Sequence, residues 1–143
     1  MRHIGIVVKN IEAAIDFWRE MFGYEIEIDQ KEVGAEIDKL LAREGIEVRT
    51  VKMVHDSFSR VELLHFEVPP IEKRSIPTPF SQGITHLAFT VPNLEQYLKR
   101  LQNLGGGIIG ITHSIDGGIE VAYCYGVEGI LLELVEIKER STS

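Results

Sequence analysis

The sequence contains the same pattern twice, and this internal repeat restricts the fold more than any other feature. Residues 3–12, HIGIVVKNIE, align with residues 86–95, HLAFTVPNLE, at an offset of 83. A second match aligns VELL at 61–64 with LELV at 132–135, at an offset of 71. Repetition of this kind indicates two copies of one supersecondary unit. The two offsets differ by twelve, so we place the extra residues of the first copy in an added short helix at Gly34–Glu44.

Each copy is predicted to contain four strands and one helix. Ile4, Ile6 and Val8 alternate with other residues, which is typical of a strand with one apolar face. Asn10 and Asn93 are expected to cap the helix after each first strand, because an Asn side chain accepts hydrogen bonds from the free amides of a first turn. The later strands are predicted at Tyr24–Asp29, Glu47–His55, Ser59–Val68, Gly107–His113, Ile119–Tyr125 and Ile130–Ile137. The pattern therefore predicts an α+β fold made of two βαβββ modules.

The two modules are predicted to form a single domain over residues 1–143. Its parts are module 1 at 1–68, a linker at 69–82, module 2 at 83–137 and a C-terminal tail at 138–143. The linker region holds four of the five prolines and is expected to be extended and exposed. Asp56 and Ser57 predict the turn between the last two strands of module 1. The single cysteine excludes an intrachain disulfide, so the fold depends on its packed core.

The charge balance narrows the range of partners. The net charge is -7, and the Lys and Arg residues are scattered, so we expect no nucleic-acid binding, which needs a basic surplus to neutralise phosphates. The first residues, MRHIGIVVKN, lack the apolar core of a signal peptide. No apolar run reaches the roughly 18 residues of a membrane span. These features favour a cytoplasmic protein without a membrane partner, and they are compatible with a small-molecule substrate.

Four residues stand out because the repeat places the same residue types at matching positions. His3 and His86 begin the first strands, and Glu62 and Glu133 lie in the last strands among large aliphatic residues. A carboxylate on so apolar a strand is either solvated or paired. Two neutral imidazoles and two carboxylates would balance the charge of a divalent cation and would suit Ni, Co, Mn, Fe or Zn. The repeat thus predicts a metal site, although a strand His or Glu taken alone is more often a surface or core residue.

The chain resembles the vicinal oxygen chelate superfamily, which includes glyoxalase I, methylmalonyl-CoA epimerase, extradiol dioxygenases and the fosfomycin- and bleomycin-resistance proteins. The resemblance lies in HIGIVVKNIEAAIDFWREMFGYE, VELLHFE, GITHLAFTVPNLEQYLKRLQNLGG and GVEGILLELVE, and it covers nearly the whole chain. It implies a cupped mixed sheet and a homodimer. It also implies that the first and last strands of each module supply the metal ligands, here His3, Glu62, His86 and Glu133, a set similar to that of bacterial glyoxalase I.

The resemblance implies a metal-dependent lyase or isomerase acting on a small, oxygen-rich carbonyl compound. Glu133 and Glu62 are then the candidates for the base that removes a proton next to the carbonyl, with the resulting enediolate stabilised by the metal. An extradiol dioxygenase would need two His and one carboxylate with open positions, and the fourth ligand argues against it. A binding protein without turnover is a further alternative. Gly126–Gly129 replaces the Asp-Pro-Asp-Gly of glyoxalases, so glutathione is not assigned as the substrate.

Overall fold

The computed structural model describes residues 1–56 and 59–138, and the chain divides into two compact units. The first unit is Met1–Arg74 and the second is Ser75–Ser143. Each unit contains one of the two predicted modules with its own four-stranded sheet. The predicted turn at Asp56 and Ser57 and the predicted tail at 138–143 both extend beyond the described residues. The assignment of the two modules to one domain stays a prediction.

The first unit has a βαβββ order with one inserted helix. Its elements are β1 (Ile4–Val7), α1 (Ile11–Phe22), β2 (Glu25–Val33), α2 (Ala35–Leu41), β3 (Glu47–Val54) and β4 (Arg60–Val68). The strands lie in the order β1-β4-β3-β2. β1 runs parallel to β4, and the other neighbours are antiparallel. This mixed sheet puts the first and last strands of the module side by side, where His3 and Glu62 were predicted to meet.

The second unit repeats this order without the inserted helix. Its elements are β5 (His86–Thr90), α3 (Leu94–Asn103), β6 (Gly107–His113), β7 (Ile119–Tyr125), a 3-10 turn (Val127–Gly129) and β8 (Leu131–Ile137). The sheet order is β5-β8-β7-β6, with β5 parallel to β8. The α+β class and the two βαβββ modules are therefore confirmed.

The first helix of unit 1 forms because its apolar residues fall on one side. Trp18 and Met21 are fully buried, and α1 contacts β4 of the sheet beneath it. The side-chain oxygen of Asn10 accepts a hydrogen bond from the Ala13 amide at 3.0 Å, as predicted. Gly23 ends the helix in the left-handed conformation with φ of 73°, which glycine adopts without steric cost.

The helix of unit 2 is fixed at its N-terminus from two sides. Asn93 accepts from the Gln96 amide at 2.8 Å, as predicted. Glu136 on β8 accepts from the Leu94 amide at 2.6 Å, which ties the start of α3 to the sheet. A carboxylate at this position also interacts favourably with the positive end of the helix dipole. The helix is therefore held over its own sheet by a charged contact as well as by its apolar face.

Some predicted boundaries differ from the structure. β2 continues to Val33, whereas the prediction ended it at Asp29. The added helix predicted within Gly34–Glu44 is present as α2. The extra residues of module 1 therefore lengthen β2 as well as forming a helix. Within the described residues, no helix is both long and apolar enough to cross a membrane.

Candidate metal centre

In module 1 the structure brings His3 and Glu62 together. His3 directly precedes β1, and Glu62 lies on the neighbouring parallel strand opposite Gly5. The Nε2 atom of His3 is 3.2 Å from Oε2 of Glu62. Val61 and Leu63 are buried on the other face of β4, so strand alternation directs Glu62 to the face away from the core. The two predicted ligands of this module are therefore adjacent.

Module 2 repeats the same arrangement. His86 begins β5, and Glu133 lies on β8 opposite Ala88. Nε2 of His86 is 3.0 Å from Oε2 of Glu133. Leu132 and Leu134 are fully buried beneath them, while the His86 and Glu133 side chains keep 30% and 24% of their surface exposed. The pair is accessible to a small ligand, unlike the leucines that flank Glu133.

Each Glu has a third partner at an equivalent position on the adjacent antiparallel strand. Lys52 on β3 pairs in register with Glu62, and Tyr123 on β7 pairs in register with Glu133. The Lys52 Nζ atom is 3.8 Å from Oε2 of Glu62. The numbers 52 and 123 differ by the same 71 that relates the two Glu residues. The offset therefore marks the two positions as equivalent, but Lys52 and Tyr123 differ in residue type, so it does not single out Lys52, which was not predicted from the sequence.

Tyr123 contacts both members of the module 2 pair. Its hydroxyl lies 3.3 Å from Nε2 of His86 and donates to Oε2 of Glu133 at 3.4 Å. Desolvation, and then the charge and hydrogen bond of Glu133, raise the pKa of the Tyr123 phenol above its usual 10.0. The phenol is therefore protonated at neutral pH and acts as a hydrogen-bond donor to the carboxylate.

Thr85 orients the imidazole of His86. Its Oγ1 atom lies 2.8 Å from Nδ1 of His86, so the ring nitrogen facing Glu133 is Nε2. A polar partner on the other ring nitrogen is the usual support for a metal-binding histidine, because it fixes the tautomer and the ring orientation. Thr85 was not singled out from the sequence, because threonine before a strand is common.

The donor chemistry of these residues fits a divalent metal. Imidazole nitrogen and carboxylate oxygen suit Ni, Co, Mn, Fe and Zn. Two neighbouring ligands about 2.0–2.2 Å from one ion, at right angles, lie about 2.8–3.1 Å apart. The observed separations of 3.2 and 3.0 Å are close to this. Among residues 1–56 and 59–138, no group of three or more His, Cys, Asp or Glu side chains lies close enough together to hold a metal ion; within each module the structure brings together one His and one Glu.

Two arginines of module 1 are already engaged by carboxylates. Arg49 contacts Asp29 at 2.7 Å and Glu12 at 2.5 Å. Arg60 contacts Glu27 at 3.3 Å. These ion pairs connect β3 with β2 and α1, and β4 with β2, so they stabilise the module. The arginines are therefore weaker candidates for substrate binding than Lys52.

The chain belongs to the glyoxalase/bleomycin resistance protein/dioxygenase superfamily. The model of this superfamily matches residues 2–125, and the match agrees with the module order described above. This is the family indicated by the sequence resemblance. The search for similar curated proteins returned no significant match.

Solved structures support the same family. A glyoxalase family protein from Bacillus cereus is 28% identical with a TM-score of 0.89, covering 97% of this chain and 94% of that one. Glyoxalase I from Zea mays, in a mutant form, is 17% identical with a TM-score of 0.67, covering 97% of this chain and 46% of that one.

A third similar structure contains a metal ion. It is a mutant of the fosfomycin resistance protein FosX from Listeria monocytogenes, complexed with Mn(II) and 1S,2S-dihydroxypropylphosphonic acid. It is 15% identical with a TM-score of 0.59, covering 94% of this chain and 86% of that one. At this identity, as for the maize enzyme, the similarity shows a shared fold.

Proposed function

We propose that the protein is a divalent-metal-dependent lyase or isomerase that removes a proton next to a carbonyl of a small, oxygen-rich substrate. The observation that carries this proposal is the repeated His–Glu pair, with Nε2 and Oε2 3.2 Å apart in module 1 and 3.0 Å apart in module 2. Two unrelated surface pairs would not be expected to recur at the same strand positions in both copies. The Mn(II) complex of the FosX mutant supports metal chemistry on this fold.

In this proposal His3, Glu62, His86 and Glu133 together hold one divalent ion, within one chain or across a homodimer. Two carboxylates and two neutral imidazoles balance the charge of such an ion. Mn, Fe, Co, Ni and Zn are all compatible with these donors. When bound, the ion would supply Lewis-acid polarisation of two substrate oxygens and so stabilise the negative charge that follows proton removal.

We assign the role of general base to Glu133, with Glu62 as the alternative. Glu133 is the more exposed of the two carboxylates, at 24% against 15%. It contacts the neutral phenol of Tyr123, whereas Glu62 contacts the ammonium group of Lys52. Glu133 therefore has a neutral hydrogen-bond donor beside it where Glu62 has a cation. Tyr123 orients Glu133 through its hydroxyl, and Thr85 orients His86 through Nδ1.

The experiment that tests this function combines metal analysis with an activity screen. The purified protein is loaded with each candidate metal and tested on methylglyoxal–thiol adducts, acyl-CoA epimers and catechols. Glu133→Gln keeps the shape but removes one negative charge and the base, so it should lose most of the turnover and weaken metal binding. His86→Ala should lose metal. Glu120→Gln on β7, whose carboxylate contacts Lys138 on the surface, is the matched control and should behave as the wild type.

The outcomes separate the proposed enzyme from its alternatives. Full metal occupancy and full activity in both Glu133→Gln and His86→Ala would show that the pairs are only structural. Turnover of catechols with consumption of oxygen would assign the protein to the dioxygenases. Sub-stoichiometric metal together with tight binding of a small molecule would assign it to the binding proteins. Sedimentation at micromolar concentration tests the homodimer, and a monomer would contradict it.

A further inference from the structure

We propose that Lys52 is a specificity-determining residue that gives module 1 a position for the anionic oxygen of a small acid. The inference rests on the proposed function, because it assumes that Glu62 ligates a metal ion. It adds the charge of the substrate: an anionic oxygen, in a carboxylate or an equally charged group, next to the metal ligand Glu62.

The position of Lys52 is fixed by the sheet. It lies on β3 directly opposite Glu62, with 27% of its side chain exposed. Its Nζ atom is 3.8 Å from Oε2 of Glu62, which is beyond the length of a direct ammonium–carboxylate hydrogen bond. An ammonium group has three donors. The contact therefore holds Lys52 beside the candidate ligand while leaving it able to accept a second anion.

A second carboxylate near Lys52, that of Glu27, is paired with an arginine. Glu27 interacts electrostatically with Lys52, but the hydrogen bond from Arg60 is the larger cause that lowers the pKa of Glu27. Arg60 lies 3.3 Å from the Glu27 carboxylate. Arg60 rather than Lys52 therefore forms the ion pair with Glu27, and the ion pair of Lys52 is with Glu62.

The two modules differ by one positive charge at this position. In module 2 the equivalent residue is Tyr123, a neutral donor. With neutral imidazoles, His3, Glu62 and Lys52 carry no net charge, whereas His86, Glu133 and Tyr123 carry one negative charge. When the negative charge of Glu62 is balanced by a bound divalent ion, it no longer balances the positive charge of the Lys52 ammonium. A negatively charged substrate oxygen would balance it, and a neutral one would not.

The experiment compares two ligands of nearly the same shape, glycolate and glycolamide, on the Mn²⁺-loaded protein. Each has neighbouring hydroxyl and carbonyl oxygens, and only glycolate is charged. Their affinities are measured from the proton NMR relaxation that Mn²⁺ causes in the bound ligand, without any need for turnover. The variants are Lys52→Met and Lys52→Gln, which remove the charge, and Lys52→Arg, which keeps it. Lys31→Met is the control, since Lys31 on β2 forms exposed ion pairs with Glu47 on β3 and Glu67 on β4.

The wild type is expected to prefer glycolate, and in both neutral variants that preference should fall by about two- to fivefold. Lys52→Arg and Lys31→Met should keep it. The neutral variants should also bind Mn²⁺ at least as tightly as the wild type, because a neighbouring cation has been removed. If a neutral variant binds Mn²⁺ and still prefers glycolate as strongly as the wild type does, the role of Lys52 is overturned. The same follows if the wild type shows no preference for glycolate. Either result leaves the proposed function standing. A wild-type protein that takes up no Mn²⁺ would overturn both this inference and the proposed function.

Discussion

Nε2 of His86 and Oε2 of Glu133 lie 3.0 Å apart on neighbouring parallel strands. The contact depends on the βαβββ order, which puts the first strand of the module beside the last. Because module 1 has the same order, His3 and Glu62 meet in the same way. The helix between β5 and β6 covers the other face of the sheet, so the pair lies on the side away from the core. The fold therefore builds the same His–Glu pair twice.

The Thr85 hydroxyl is expected to support metal binding through His86. Thr85→Val keeps the shape of the side chain but removes the contact at 2.8 Å with Nδ1. Loss of such a second partner typically lowers metal affinity by about tenfold or more, and we expect about tenfold here. Equilibrium dialysis with Mn²⁺ measures the change. Thr90→Val, at the exposed C-terminal end of β5, is the control, and equal affinities in the two variants would contradict the role of Thr85.

Gly106 is expected to tolerate no side chain. A Cβ atom there would lie 2.6 Å from the backbone oxygen of Tyr125 and 2.5 Å from Cγ of Leu101. Gly106→Ala should therefore lower the free energy of unfolding by about 1–3 kcal/mol, measured by urea denaturation. Gly107→Ala is the matched control because a Cβ atom at residue 107 meets nothing within 4 Å. Equal free energies of unfolding in the two variants would contradict the close approach of α3 to β7 at Gly106.

Asp29 is expected to contribute to acid sensitivity through Arg49. The hydrogen bond from Arg49 lowers the pKa of Asp29 below its usual 3.8. A carboxylate with a lowered pKa in the folded state stabilises it above the unfolded pKa, and this stabilisation disappears as the pH falls through the folded value. Arg49→Met should thus be less stable than the wild type at pH 7, by less than about 1 kcal/mol because the pair is partly exposed. Urea denaturation at pH 7 and pH 2.5 should show a smaller difference at the lower pH, and a constant or larger difference would exclude this contribution.

Cys124 is expected to be unreactive in the folded protein. Its side chain is fully buried, and burial raises the pKa of the thiol to about 11. Because the thiolate is the reactive form, labelling with a thiol reagent at pH 8 should follow global unfolding. The measurement is the labelling rate with and without urea. Rapid labelling of the native protein would show that β7 opens locally.

Much of the fold could be predicted from the sequence, because the repeat shows the pattern of most elements twice. The caps at Asn10 and Asn93 and the buried Leu132 and Leu134 were predictable from local rules. The end of β2 was not, because its last residues are mostly polar and exposed and show no apolar alternation. Their strand conformation comes from backbone pairing with β3, which is a tertiary effect.

The candidate site was predictable in part. The His and Glu of each module could be chosen because they recur at matching positions, and the structure brings the two members of each pair together. Lys52 and Tyr123 differ in residue type, so similarity between the two copies does not mark them. Their importance comes from cross-strand register with Glu62 and Glu133. That register became known only from the pairing of β3 with β4 and of β7 with β8.

We propose that His3, Glu62, His86 and Glu133 hold one divalent ion together. The most direct test is the Mn²⁺ stoichiometry, by equilibrium dialysis, of the wild type, His3→Ala and His86→Ala. If the pairs of both modules share one ion, the wild type should bind one tight Mn²⁺ per chain, and either substitution should remove it. Tight binding that survives intact in either variant would contradict the claim, because the pair in the other module would then be unnecessary.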